Sequence, residues 1–170
     1  MAEPILDKAR AAQNMLERIA NAIPGFKGYR EKELRRDADR LQREHLAARL
    51  DELKGTLNDA AAQATRGGGL DLINDIETAR KRLDKVVARI RYADRGYAGF
   101  FDTVKVDEAA LARVYQFDID LLADVTEVRE ASEQVKTAAD RKAALSALTS
   151  RIDALDRRLA EREEILSGIR

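Results

Sequence analysis

The sequence predicts an all-α fold, an antiparallel bundle of four to five helices with a long, coiled-coil-like C-terminal helix. Three observations predict it. Charged residues make up 36% of the 170 positions, while Gly and Pro supply only nine and two, a composition of long helices rather than sandwiches. Apolar residues recur at three- and four-residue spacing over most of the chain, the pattern of one buried helical face. The breaks in that pattern are few and are marked mainly by glycine. At this length the chain suits a single domain, residues 1–170. Residues 1–136 are expected to form the bundle and 137–170 a heptad helix, continuous with it or folded back on it.

The first helix is predicted over 4–23, with Ile5, Ala9, Ala12, Leu16, Ile19 and Ile23 on one face. Pro4 suits a first helical position, where its missing N–H is not needed. Pro24-Gly25 ends the helix, because proline turns the preceding residue away from helical backbone. A second helix is predicted from about Tyr29 to Arg66. Its stripe of Leu46, Leu50, Leu53, Leu57 and Ala60 passes Gly55 in phase, which favours one helix over a new start at Thr56. Gly67-Gly68-Gly69 then forms a turn.

The third helix, 70–93, carries Ile73, Ile76, Ala79, Leu83, Val86, Val87 and Ile90. Asp71 and Asp75 stand in its first turns and Arg89 and Arg91 in its last, matching the helix dipole. Asp107 is the expected N-cap of the next helix. From Asp107 to Ser167 there is neither glycine nor proline, which favours one helix of roughly 60 residues, about 90 Å long. The rival is a turn at Thr137-Ala138-Ala139-Asp140, which has the form of a capping box. Beyond it Leu145, Leu148, Ile152, Leu155, Leu159 and Leu166 fall at near-heptad spacing.

Two connections share the signature glycine-aromatic-x-glycine-aromatic: Gly25-Phe26-Lys27-Gly28-Tyr29 and Gly96-Tyr97-Ala98-Gly99-Phe100, extended by Phe101. They hold five of the eight aromatic side chains. If successive helices alternate in direction, both connections fall at one pole of the bundle. Phe26, Lys27, Tyr29, Arg95, Tyr97, Phe100 and Phe101 are therefore the candidate contact residues. Two uses are open: the rings plug the end of the core, or they form a recognition patch of aromatics and cations.

The chemistry of catalysis is sparse. The chain has no cysteine and one histidine, His45, so thiolate sites and paired histidine ligands are excluded. No phosphate-binding glycine loop or nucleophile elbow is present. Asp120, Asp124 and Glu127 share a helical face. Lys81, Lys85 and Arg89 offer a matching basic stripe, so ion pairing is expected there rather than a metal. The arginines from Arg30 to Arg43 alternate with acids, as in Asp39–Arg43, and read as a solvated, self-paired face. No cofactor, metal or nucleic acid is expected.

Net charge is zero, 31 against 31, yet 24–93 holds 16 basic against 12 acidic residues and 107–139 holds 3 against 8. These blocks are expected to face each other. No apolar run reaches membrane-span length, and the start lacks a leader pattern, so a cytoplasmic protein is expected. Arginine outnumbers lysine 22 to 9, the bias of a GC-rich bacterial genome. The functional expectation is a non-enzymatic interaction or scaffold protein. It would pair with itself or another helical protein through Leu145, Leu148, Ile152, Leu155, Leu159 and Leu166, with the aromatic pole as a second surface. The alternative is a small-ligand or membrane-surface module that reads anionic headgroups through that pole.

Overall fold

The computed structural model describes residues 14, 17–23, 32–67, 69–93 and 108–168, with side chains described from Arg40 in the second helix, from Arg113 in the fourth and as far as Glu164 in the fifth. The chain is all-α: α1 (17–22), α2 (Lys32–Arg66), α3 (Leu70–Tyr92), α4 (Glu108–Thr137) and α5 (Arg141–Gly168). The helices from α2 to α5 form a four-helix bundle. α2 runs through Gly55 without interruption, and a side chain added there would meet nothing within 4 Å. Gly55 is therefore an exposed interior residue and not a boundary.

Two hairpins make up the bundle. In the first, the Gly69 N–H donates to the Ala64 carbonyl at 2.9 Å, the five-residue closure of a Schellman-type helix end. α3 starts directly afterwards. In the second, three residues, 138–140, separate α4 from α5. The expected 60-residue helix is thus replaced by two, of 30 and 28 residues. The cap also differs from the expected box. Asp140 is itself the N-cap: its Oδ1 accepts the Ala143 N–H at 3.0 Å, satisfying one orphan donor of the first turn. Folding back brings the apolar face of α5 against α3 and α4, a gain that a projecting arm would forgo.

The packing order is specific. α2 lies beside α3, and α4 beside α5, as antiparallel neighbours. α3 also lies beside α5, and α2 beside α4. These last two pairs run parallel, as shown by Lys85 meeting Asp156 and Arg89 meeting Glu163. α2 and α5, like α3 and α4, occupy diagonal corners.

Buried positions step by alternating threes and fours along each of these helices: 46, 50, 53, 57, 60 and 64 in α2, and 76, 79, 83, 86 and 90 in α3. α4 follows with 114, 118, 121, 125, 128, 132 and 135, and α5 with 145, 148, 152, 155, 159 and 162. That is the spacing of knobs-into-holes packing in a left-handed bundle. Leu145, Leu148, Ile152, Leu155 and Leu159 are all core residues of the chain's own bundle. The face expected to mediate self-association is therefore enclosed. The Leu166 side chain lies outside the described residues. Among the described residues no helix is long and apolar enough to cross a membrane.

Candidate functional site

One layer of the core is charged. Reading the stripes upward from the short turns, Leu and Val give way to Arg43 in α2, Asp118 in α4 and Arg162 in α5, each standing in phase with the core positions. Asp118 is 0% exposed and Arg162 4%. Arg162 Nε donates to Asp118 Oδ1 at 3.0 Å, joining α5 to α4. A charge-assisted bond of this kind offsets the cost of removing both charges from water. Arg43, also buried, donates from Nη1 to the Arg91 carbonyl at 3.3 Å. That carbonyl belongs to the last turn of α3, where no intrahelical N–H is available. Arg43 thus reaches from α2 to finish the end of α3. It is buried, where the sequence suggested a solvated face.

Arg89 completes the layer from α3. It grips Glu163 with Nε at 3.0 Å and Nη2 at 2.6 Å, and Asp156 with Nη1 at 2.9 Å to Oδ1 and 3.0 Å to the carbonyl. The hydrogen bonds it donates to the Glu163 carboxylate hold the guanidinium charged well above its ordinary range. Burial alone would raise the Asp156 carboxyl, but hydrogen bonds from Lys85 and Arg89 outweigh it and hold the group below its usual value. Between Gln42, Arg43, Arg89, Arg162 and Glu163 remains a void of about 10 Å³, the size of a single water site.

The charge blocks meet differently from expectation. Asp120, Asp124 and Glu127 do not face the basic stripe of α3, which sits at the diagonal corner. Arg158 bridges Asp120 at 3.6 Å and contacts Asp124, and Arg151 contacts Glu127. On its other flank α5 offers Asp153 to Arg82, and Asp156 to Lys85 at 2.7 Å. α5 is the mediator, basic toward acidic α4 and acidic toward basic α3. No group of three or more metal-ligating side chains occurs among the described residues.

The layer lies directly beneath the pole where α2 starts, α3 ends and α4 starts. Both glycine-aromatic connections are attached to those helix ends. Phe26, Lys27, Tyr29, Arg95, Tyr97, Phe100 and Phe101 themselves lie outside the described residues. What the structure does describe there is Tyr92, in the last turn of α3 and 78% exposed. The other large exposed apolar side chain among the described residues is Leu70, at the opposite pole.

The sequence reading missed the polar layer and Tyr92. The signal for the layer was available: Arg162 stands midway between Leu159 and Leu166, and Asp118 between Val114 and Leu121, at core phase in their stripes. Tyr92 carried no comparable signal, because one aromatic near a helix end is equally compatible with burial. Comparison with protein-family models, with curated proteins and with solved structures finds no match to this chain.

Proposed function

We propose that the chain is a non-enzymatic interaction protein whose contact surface is the loop pole, presented by a rigid four-helix platform. The observation that carries this reading is the placement of Tyr92. The aliphatic stripes of α2 to α5 turn inward, while this aromatic side chain stands in solvent four residues before Gly96. Tyrosine at an exposed end is a strong anchor for a protein partner, since it gives large contact area at small entropic cost. The polar layer supports the same reading. By tying α2 to α3, α3 to α5 and α4 to α5 just below the pole, it fixes the helix ends from which the connections depart, and pre-organised surfaces bind with less ordering cost. The partner class is another helix-presenting chain, of which a second copy is the simplest.

A photo-reactive phenylalanine at position 92, compared with one at Ala154 on the solvent face of α5, tests the proposal in cells. A discrete cross-linked product from position 92 and none from position 154 is expected. Equal labelling at both positions, or none at either, would overturn it. The Tyr97→Ala/Phe101→Ala variant refines the test. Unchanged melting temperature with loss of the cross-link supports a contact patch, whereas a sharp fall in melting temperature assigns the rings to plugging the core. Binding of the wild type to acidic lipid vesicles, abolished by the same substitutions, would instead favour a headgroup-reading pole.

A further inference from the structure

The structure separates into two hairpins more readily than into four helices, and we propose that these hairpins exchange between two copies of the chain. In the exchanged pair, α4–α5 of one copy packs against α2–α3 of the other. This inference goes beyond the pole and does not depend on it.

Four observations carry it. Only three residues separate the two helices of each hairpin, 67–69 or 138–140. The hairpins are joined covalently through residues 94–107 alone, and that stretch connects α3 to α4, the diagonal helices that scarcely touch. Fourteen residues reach roughly 45–50 Å when extended, about the length of α4 itself at 1.5 Å per residue. The covalent link therefore permits the second hairpin to dock on another copy.

The seam between the hairpins is also open to solvent along part of its length. A groove of about 300 Å³ runs along its lower half, between α3 and α5, lined by Thr78 and Arg82 on one side and Ser146, Thr149 and Ser150 on the other. The small void in the polar layer lies at its upper end.

The fourth observation is what makes the partner a second copy rather than any helical protein. The seam carries its own address, with Arg82, Lys85 and Arg89 on α3 matched to Asp153, Asp156 and Glu163 on α5 in a parallel ladder. An exchanged dimer reproduces every one of these pairs, together with the enclosed leucine face of α5, and creates no new hydrophobic surface. The heptad residues Leu145 to Leu159 then lie between chains without being exposed in either form. Concentration decides the balance, because within one chain the hairpins meet at an effective concentration in the millimolar range.

The absence of cysteine makes the test direct. One full-length chain carries Lys85→Cys and a second, tagged chain carries Asp156→Cys. The two are unfolded together, refolded at high protein concentration and treated with a short bis-maleimide linker. Exchange places position 85 of one copy beside position 156 of the other. A covalent heterodimer at least tenfold above that from either chain alone is expected. No heterodimer at any concentration, or equal yields from the single-variant controls, would overturn the inference. Repeating the mixture with Tyr97→Ala/Phe101→Ala in both chains separates the two readings. The cross-link should persist, and its loss would overturn exchange and assign the pairing to the pole.

Discussion

Arg162 occupies a core position that leucine would fill more cheaply, and Asp118 opposite it is fully enclosed. Removing one member and removing both should therefore have different outcomes. Arg162→Leu takes the Arg162 guanidinium away from a fully buried carboxylate, and urea denaturation should show a loss of about 3–5 kcal/mol. Asp118→Leu with Arg162→Leu should recover most of that loss, because an apolar pair of similar volume carries no desolvation cost. Equal losses in the single and double variants would show that the pair does not act as a unit. His45 makes a second residue-scale prediction. Its Nε2 is buried with no hydrogen-bond partner among the described residues. Burial, then the neighbouring Arg49, hold its pKa below the ordinary value, against a smaller opposing effect of Glu52. The unfolded chain thus takes up the proton first, and stability falls as pH drops from about 7 through the ordinary histidine range near 6.5. His45→Gln should flatten that part of the profile. A fall of the same size in the variant would remove His45 as its cause. The carboxyls of Asp51 and Asp156, both held low in spite of burial, act in a separate window. Their contribution is lost below about pH 4, as they protonate.

At the scale of elements, the sequence was most legible where a stop is made by backbone chemistry. The end of α2 at the glycine triplet, the span of α3 and the passage of α2 through Gly55 all follow from spacing and glycine placement. The turn between α4 and α5 did not, and the reason is physical. Ala138 and Ala139 are strong helix formers, so nothing local forbids continuation. The decision lies in the burial of Leu145 and its successors, which is a tertiary effect. The one local contribution is the side chain of Asp140. Asp140→Ala should lower stability by about 1 kcal/mol, equivalent to about 2–4 °C in melting temperature at this chain size, and Asp140→Asn should restore most of it. No change in Asp140→Ala would mean that packing alone sets the turn. The candidate site was legible only in outline. That α2 starts, α3 ends and α4 starts at one pole followed from counting reversals, whereas the polar layer beneath it required knowing which helices share a corner. Asp120, Asp124 and Glu127 illustrate the difference, since charge alone matched them to α3 and packing gives them to α5.

For the whole molecule, α5 stands between a basic helix and an acidic one and offers each the opposite sign. Its position is thus defined by two neighbours at once, α3 and α4. A chain limited to residues 108–170 lacks the first of these. Such a fragment should still close through the leucine face that α5 lays on α4, and scatter X-rays with a largest dimension near 45 Å, the length of about 30 helical residues. A dimension approaching 90 Å, the length of about 60 helical residues, would show that the bend depends on α2 and α3 and would count against hairpins as exchanging units.

The turn at 138–140 contains neither glycine nor proline, and this has a consequence for the order in which the protein is made. Synthesis delivers α2 and α3 first, already joined by their glycine turn. The last sixty residues emerge afterwards with two shapes open to them, a straight rod and a bent pair. The waiting hairpin presents the basic flank of α3, which α5 meets along its whole ladder only when the pair is bent. The final third of the chain therefore emerges beside a surface whose charges already match its bent form.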